Sequence, residues 1–281
     1  MSHKIKKAAV YILLVIISAV MLYPLLWLVG ATFKDNNEIF AGIDFLPVNP
    51  TLSGYLSAFE SYGGNVTLLH SMLNTYKYVI PKVIFTLVSS LLTAYGFSRF
   101  RFRGRKLLFA VLIASMFLPQ IVLNVPQYVL FSQLGWVDSP LYAPLTVPSL
   151  FAVDAYFVFL LIQFFRTVPR ELDDAAKIDG CGSFGTLVHV LLPMLTPALT
   201  ACAIFQFLWS SNDYLSPLLY VSTPENYPVS IFAKLSMDAD SGFAWNRVLA
   251  VSLISAVPSF IVFFAAQKFF VEGISAGALK E

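Results

Sequence analysis

Two carboxylates, Asp154 and Asp213, stand inside long apolar stretches of this 281-residue chain. On insertion scales a charge at the centre of a membrane helix costs roughly 2.5 to 3.5 kcal/mol, so such carboxylates face a cavity or a hydrogen-bonding partner rather than lipid. Asp154 precedes Arg166 by twelve residues, about 18 Å of helix, which places it near the middle of a bilayer. Asp213 follows Ser210, Ser211 and Asn212, a polar cluster set nearer the opposite face. Asp154, Asn212 and Asp213 are therefore candidate linings of a polar pathway; the plainer reading has them hydrogen-bonding between helices.

Catalytic chemistry lacks its usual constellations. The histidines are His3, His70 and His189, none spaced with a carboxylate and a nucleophile. Cys181 and Cys202 lack a C-x-x-C or a nearby histidine pair and read as packing residues. No G-x-x-x-x-G-K-[ST] run occurs, so any ATP chemistry belongs to another polypeptide. Neither a cofactor nor a metal is expected, and the chain is not expected to be an enzyme.

The elements that must position these residues follow from composition. Hydrophobic residues make up 58% against 12% charged, and mean hydropathy is +0.74, so lipid is the solvent for most of the chain. About 20 apolar residues cross ~30 Å of hydrocarbon. Six runs qualify, at about 8–33, 78–98, 107–125, 141–165, 195–220 and 248–267. The fold class is an all-α membrane protein of six transmembrane helices, with 1–281 as a single transmembrane domain. The first run is too long for a signal-peptide core and is read as retained, the third is expected to stop before Pro126, and Lys82 is expected to snorkel from the second. Trp27, Trp136 and Trp245 are expected near the outer interface, where amphipathic rings settle. The segment 34–76, with Gly63 and Gly64, is expected to cap that face with a short amphipathic helix around 52–59.

Basic residues set the orientation. Thirteen of the 18 lie on one side: Lys4, Lys6, Lys7, Arg99, Arg101, Arg103, Arg105, Lys106, Arg166, Arg170, Lys177, Lys268 and Lys280. Lys34, Lys77, Lys82, Lys234 and Arg247 lie on the other. Both termini are expected in the cytoplasm. A net charge of +2 does not suggest a nucleic-acid partner, and the arginines at 99–105 read as topology anchors.

The loop 166–193 has its own helix grammar. Pro169 suits a first helical turn, Glu171, Asp173 and Asp174 complement its dipole, and Gly180 and Gly182 supply a cap and a sharp turn. A second short helix over 184–191 runs into Pro193. Physics alone leaves two readings open, an interfacial helix tucked under the bundle and a small-residue surface that a partner approaches closely.

Asp174-Ala175-Ala176, three residues, Gly180, nine residues, Val190, one residue and Leu192-Pro193 resembles the E-A-A-x3-G-x9-I-x-L-P signature of permease subunits of bacterial ABC importers, with Asp174 for Glu and Val190 for Ile. The likeness extends over Tyr23-Pro24-Leu25-Leu26-Trp27, residues 94–102, Gln163-Phe164-Phe165-Arg166, 209–213 and the ending 270–277, and is closest to the smaller six-helix subunit of the maltose-type carbohydrate permeases. That resemblance implies a type I ABC importer permease architecture in a bacterial cytoplasmic membrane. It implies a coupling helix between helices 4 and 5 that docks on a cytoplasmic ATPase through Asp174, Ala175, Ala176 and Gly180, with Val190, Leu192 and Pro193 joining it to the fifth span. The implied partners are a second permease subunit, two copies of the ATPase and an extracytoplasmic solute-binding protein, and the implied substrate is a carbohydrate or oligosaccharide. The competing class is a self-sufficient ion-coupled secondary carrier using Asp154 or Asp213; it requires broken helices and inverted repeats, which the sequence does not display.

Overall fold

Without water to satisfy backbone groups, an apolar segment in lipid closes its hydrogen bonds within a helix. The computed structural model describes residues 3–62, 66–237 and 243–278, and among these there is no strand beyond one isolated bridge, Tyr62 to Val66. Gly63, Gly64 and Lys280 lie outside the described residues. The helices are α1 (His3–Ala31), α2 (Asn36–Ile39), α3 (Ser53–Ala58), α4 (Leu68–Arg99), α5 (Arg105–Ser115), α6 (Gln120–Gln133), α7 (Ala143–Thr146), α8 (Ala155–Thr167), α9 (Glu171–Ile178), α10 (Ser183–Gly185), α11 (Leu192–Met194), α12 (Thr196–Ser211), α13 (Leu215–Tyr220), α14 (Val229–Leu235) and α15 (Trp245–Ala278).

Among the described residues four helical segments are long and apolar enough to cross a membrane, and counting each of two bent pairs as one span raises the number to as many as six. Three of the expected spans are interrupted. The run 107–125 becomes α5 and α6, bent by 102°. The break falls before Pro119, which is extended at φ −63°, ψ 123°, because proline disfavours helix in the residue preceding it. Pro126, expected to end that span, lies inside α6. The run 141–165 consists of α7, a 3₁₀ turn (Val147–Phe151), Ala152 at φ +53° and then α8. The run 195–220 pauses between Ser211 and Leu215. Broken helices are thus present where uninterrupted ones were expected.

The chain, read from sequence as a single transmembrane domain, groups into two compact units, residues 1–72 with 229–257, and 73–228 with 258–281. In the first, α1 is apolar and exposed over residues 4–26, with Tyr11 at 68% and Met21 at 71%, and is buried only at its end, Ala31, the surface of a helix whose neighbours are lipid or other membrane helices. The short helix expected around 52–59 is α3. Its Gly54 lies against the backbone of Asn246, where a Cβ would come 2.7 Å from the Asn246 carbonyl oxygen, so only glycine permits the approach. Asn246 donates from Nδ2 to Ser53 Oγ at 3.0 Å and from its N–H to Asn36 Oδ1 at 3.1 Å, tying α15 to α2 and α3.

In the second unit α4 is the measuring rod. Near Tyr78 it joins a cluster with Phe131, Tyr142, Leu145 and Tyr220, in which Trp136 stacks on Phe131 at 5.5 Å rather than standing free as a lipid anchor. Near Tyr95, about 25 Å further along at 1.5 Å per residue, it joins a second cluster with Phe157, Leu161, Phe165, Leu191, Leu195 and Cys202. Cys202 is fully buried there, as a packing residue should be.

Candidate functional site

Rotation of α9 about its axis decides the roles of its acidic residues. Leu172, Asp173 and Ala176 turn toward the protein, with Asp173 8% and Ala176 4% exposed, while Asp174, Ala175 and Ile178 turn outward. Asp174 Oδ1 meets Lys177 Nζ at 3.1 Å with both side chains about 70% exposed, an ion pair worth little to stability. Gly180 closes the helix at φ +82°. The Gly180 N–H donates to Lys177 O at 3.0 Å and the Cys181 N–H to Ala176 O at 2.9 Å, which satisfies carbonyls the helix end would otherwise orphan.

The chain then re-enters a helical rod, α10, a wide π turn (Thr186–Leu191) and α11, running through to Met194. The helix expected to stop at Pro193 therefore continues past it. Pro193 has no N–H to return to the turn below, and the wide turn lies immediately before it, where the hydrogen-bond register changes. Val190 and Leu192 are half-buried, Pro193 is exposed, and the neighbouring Leu191 and Leu195 are buried in the Tyr95 cluster. His189 is exposed, its Nδ1 3.1 Å from Gly185 O.

Four contacts, none anticipated from sequence, fasten this loop to the end of α4. Arg99 Nε lies 3.0 Å from Asp173 Oδ2, and Arg99 Nη2 donates to Val168 O at 3.0 Å. Arg170 Nη2 donates to Ser98 O at 3.0 Å, and Tyr95 OH to Ser183 O at 2.8 Å. The Arg99 guanidinium also sits 5.8 Å from the Phe165 ring centroid, within cation–π range. Arg99, read as a topology anchor, is a fastening as well. The signal was available in the helical spacing of Leu172, Asp173 and Ala176, which places Asp173 on the apolar face.

Against the Tyr78 cluster, sharing Phe131, Leu145 and Tyr220 with it, lies a cavity of about 560 Å³. Asp154 and Asp213 both line it, and neither is in mid-helix. Asp154 sits at the N-terminus of α8, where the helix dipole favours a carboxylate, and accepts a hydrogen bond from Thr86 Oγ1 at 3.2 Å. Asp213 occupies the gap after α12 and its Oδ1 accepts from the Ser216 N–H at 3.1 Å. Asn212 is not among the lining residues; it is exposed, with Nδ2 donating to Leu208 O at 2.8 Å. Gln120, Asn124, Gln127 and Gln206 also line the cavity, as does Lys82, the residue expected to snorkel. In sequence the amides are silent, because each is a single neutral polar residue in apolar surroundings. Among the described residues no group of three His, Cys, Asp or Glu is placed to hold a metal.

The family model for the binding-protein-dependent transport system inner membrane component matches residues 86–272. The galactooligosaccharides transport system permease protein GanQ of Bacillus subtilis strain 168 is 31% identical over 277 residues, covering 96% of this chain and 94% of the relative. The trehalose/maltose transport system permease protein MalG of Thermococcus litoralis is 28% identical, with 98% of each chain covered. Among solved structures, a bacterial ABC transporter involved in import of the acidic polysaccharide alginate has a chain that superposes with a TM-score of 0.78 over 96% of this chain and 99% of that one, at 22% identity.

Proposed function

The chain belongs to the family of binding-protein-dependent transport system inner membrane components, a multi-pass membrane protein, and from that premise we propose that it is one permease subunit of an ATP-driven carbohydrate importer. Relatives named for galactooligosaccharides, trehalose/maltose and arabinooligosaccharides support an oligosaccharide as cargo. A second permease completes the pathway, two copies of a cytoplasmic ATPase drive it, and an extracytoplasmic solute-binding protein delivers the sugar. Both termini face the cytoplasm.

The observation that carries this reading is the loop's two-sided construction. Inward, Asp173 and Ala176 are bound to the bundle; outward, Asp174 and Ala175 are exposed together with Ile178 at 86% and Phe184 at 71%. Ala176, expected at the docking surface, is buried on the inward face, so a partner seated on Asp174, Ala175 and Gly180 moves α4 through Asp173 and Arg99 as well as α12 through Val190, Leu192 and Pro193. Asp154 and Asp213 face the pathway, and Asn212 caps the helix beside it. The broken helices match one feature of an ion-coupled carrier, but such a carrier has no use for this loop.

Reconstitution into proteoliposomes with the partner permease, ATPase and binding protein tests the proposal. A sugar-loaded binding protein should stimulate ATP hydrolysis and ATP-dependent sugar uptake. Uptake driven by a proton or sodium gradient without ATP would replace this reading with the carrier.

A further inference from the structure

We infer that the 560 Å³ cavity is a glycan site belonging to this subunit itself, and that it is built for an uncharged oligosaccharide. The inference rests on the importer reading above and specifies which subunit grips the cargo and what charge that cargo carries. The volume lies within the range of small-molecule sites, roughly 300–1,000 Å³.

Helix α6 supplies one wall. Gln120, Asn124 and Gln127 recur at i, i+4 and i+7, a single face of the helix, and all three line the cavity. Ile121, Val122 and Val125 are 65 to 72% exposed. Amides are costly in a lipid-embedded helix unless they face water or a ligand. Gln120 Nε2 reaches Gln127 Oε1 at 3.4 Å, which leaves each side chain with donors and acceptors to spare.

Helix α12 contributes Gln206, Trp209 and Ser210 to the lining and carries unspent hydrogen bonding. Gln206 is 3% exposed, and Ser210 Oγ is buried without a hydrogen-bond partner. Both residues line the cavity, and a buried polar group left unpaired is costly, so an occupant bearing hydroxyls satisfies what the protein does not. Beside them Trp209 is backed by Tyr156 at 5.2 Å, Phe157 at 5.4 Å and Phe205 at 5.8 Å, yet is 51% exposed. A fixed, half-open indole offers its apolar face to the C–H face of a sugar ring while the amides take the hydroxyls.

Charge selects the class of sugar. Among the described residues the lining contains one cation, Lys82, against Asp154 and Asp213, and it contains no arginine. Carboxylates and phosphates are ordinarily gripped by arginine forks, whereas here an anionic glycan meets a surplus carboxylate in surroundings of low dielectric.

The test uses the complete importer in nanodiscs without its binding protein, titrated calorimetrically with maltotriose, galactotriose and arabinotriose and, separately, with trigalacturonate. At least one neutral trisaccharide should bind, and trigalacturonate should bind at least tenfold more weakly. Gln127→Leu and Trp209→Ala should each weaken neutral binding by roughly tenfold, Trp209→Phe should retain most of it, and Asp154→Asn with Asp213→Asn should narrow the gap between neutral and acidic probes. Absence of neutral binding, binding unchanged in Gln127→Leu and Trp209→Ala, or equal binding of trigalacturonate overturns the inference. Stimulation of ATP hydrolysis by sugar-loaded binding protein is read in parallel: if it persists while any of these results appears, the importer reading stands and the cavity assignment alone falls.

Discussion

Arg99 and Asp173 meet at 3.0 Å with side chains only 8% and 12% exposed, one at the end of α4 and the other on the inward face of α9. The Nε and Oδ2 atoms approach out of line for a hydrogen bond, so the contact is mainly coulombic, and in a semi-buried site that attraction is screened far less than at the surface. Removing one partner from a buried pair strands the other charge and costs about 3–5 kcal/mol where burial is complete. Asp173→Asn and Arg99→Ala are each expected to abolish most transport and to loosen ATPase association in co-purification. The pair exchanged, Arg99→Asp with Asp173→Arg, should recover part of both; a double variant no better than the worse single one would assign the losses to the Arg99 hydrogen bond to Val168 O instead.

Gly180 offers a cleaner perturbation. At φ +82°, with nothing within 4 Å of where a Cβ would stand, substitution is penalised by backbone conformation and not by collision. Left-handed backbone costs most residues ~1–2 kcal/mol, while asparagine tolerates it. Gly180→Val should insert and assemble yet lose binding-protein-stimulated hydrolysis and transport, and Gly180→Asn should keep most of both. Equal transport by Gly180→Val and the wild type would remove the 174–193 segment from the coupling role.

Asp154→Asn keeps the shape but removes the charge that the Thr86 hydroxyl meets at 3.2 Å. Expression and assembly are expected to be normal and uptake reduced several-fold. Normal uptake would make Asp154 a helix-terminal packing residue.

Asp138 links the α6–α7 connection to the chain after α13, accepting hydrogen bonds from Ser222 N–H at 2.8 Å, Thr223 N–H at 2.9 Å and Thr223 Oγ1 at 2.5 Å. Burial pushes its carboxyl upward, but the Thr223 and Ser222 hydrogen bonds together outweigh it and hold the group below the ordinary carboxylate value of 3.8. A depressed folded value contributes stability above the unfolded value and loses it as pH falls through the folded one. Hydrogen exchange at the Ser222 and Thr223 amides should therefore accelerate as pH drops below about 4 relative to intrinsic rates. In Asp138→Asn that extra acid sensitivity should vanish.

Topology is testable without partners. A reporter active only outside the cytoplasm, fused after Glu281, should be silent, and activity there would invert the orientation drawn from the thirteen-to-five distribution of basic residues.

The sequence by itself determined the solvent, the approximate placing of six apolar runs, the loop between the fourth and fifth of them and the need for glycine at 180. Each of these depends on quantities summed or spaced along the chain: hydropathy over some twenty residues, charge per connection, and a motif whose glycine can occupy a left-handed turn. The tertiary structure alone decided where those runs break, that Asp154 and Asp213 sit at helix ends beside one cavity, and that Gln120, Asn124 and Gln127 face it. A hydropathy average is indifferent to a three-residue interruption, and an amide in an apolar helix carries no direction until the helix is rotated against its neighbours. The same holds for Asp173 and Asp174, adjacent and chemically alike: about 100° of helical rotation sends one to Arg99 and leaves the other exposed beside Lys177.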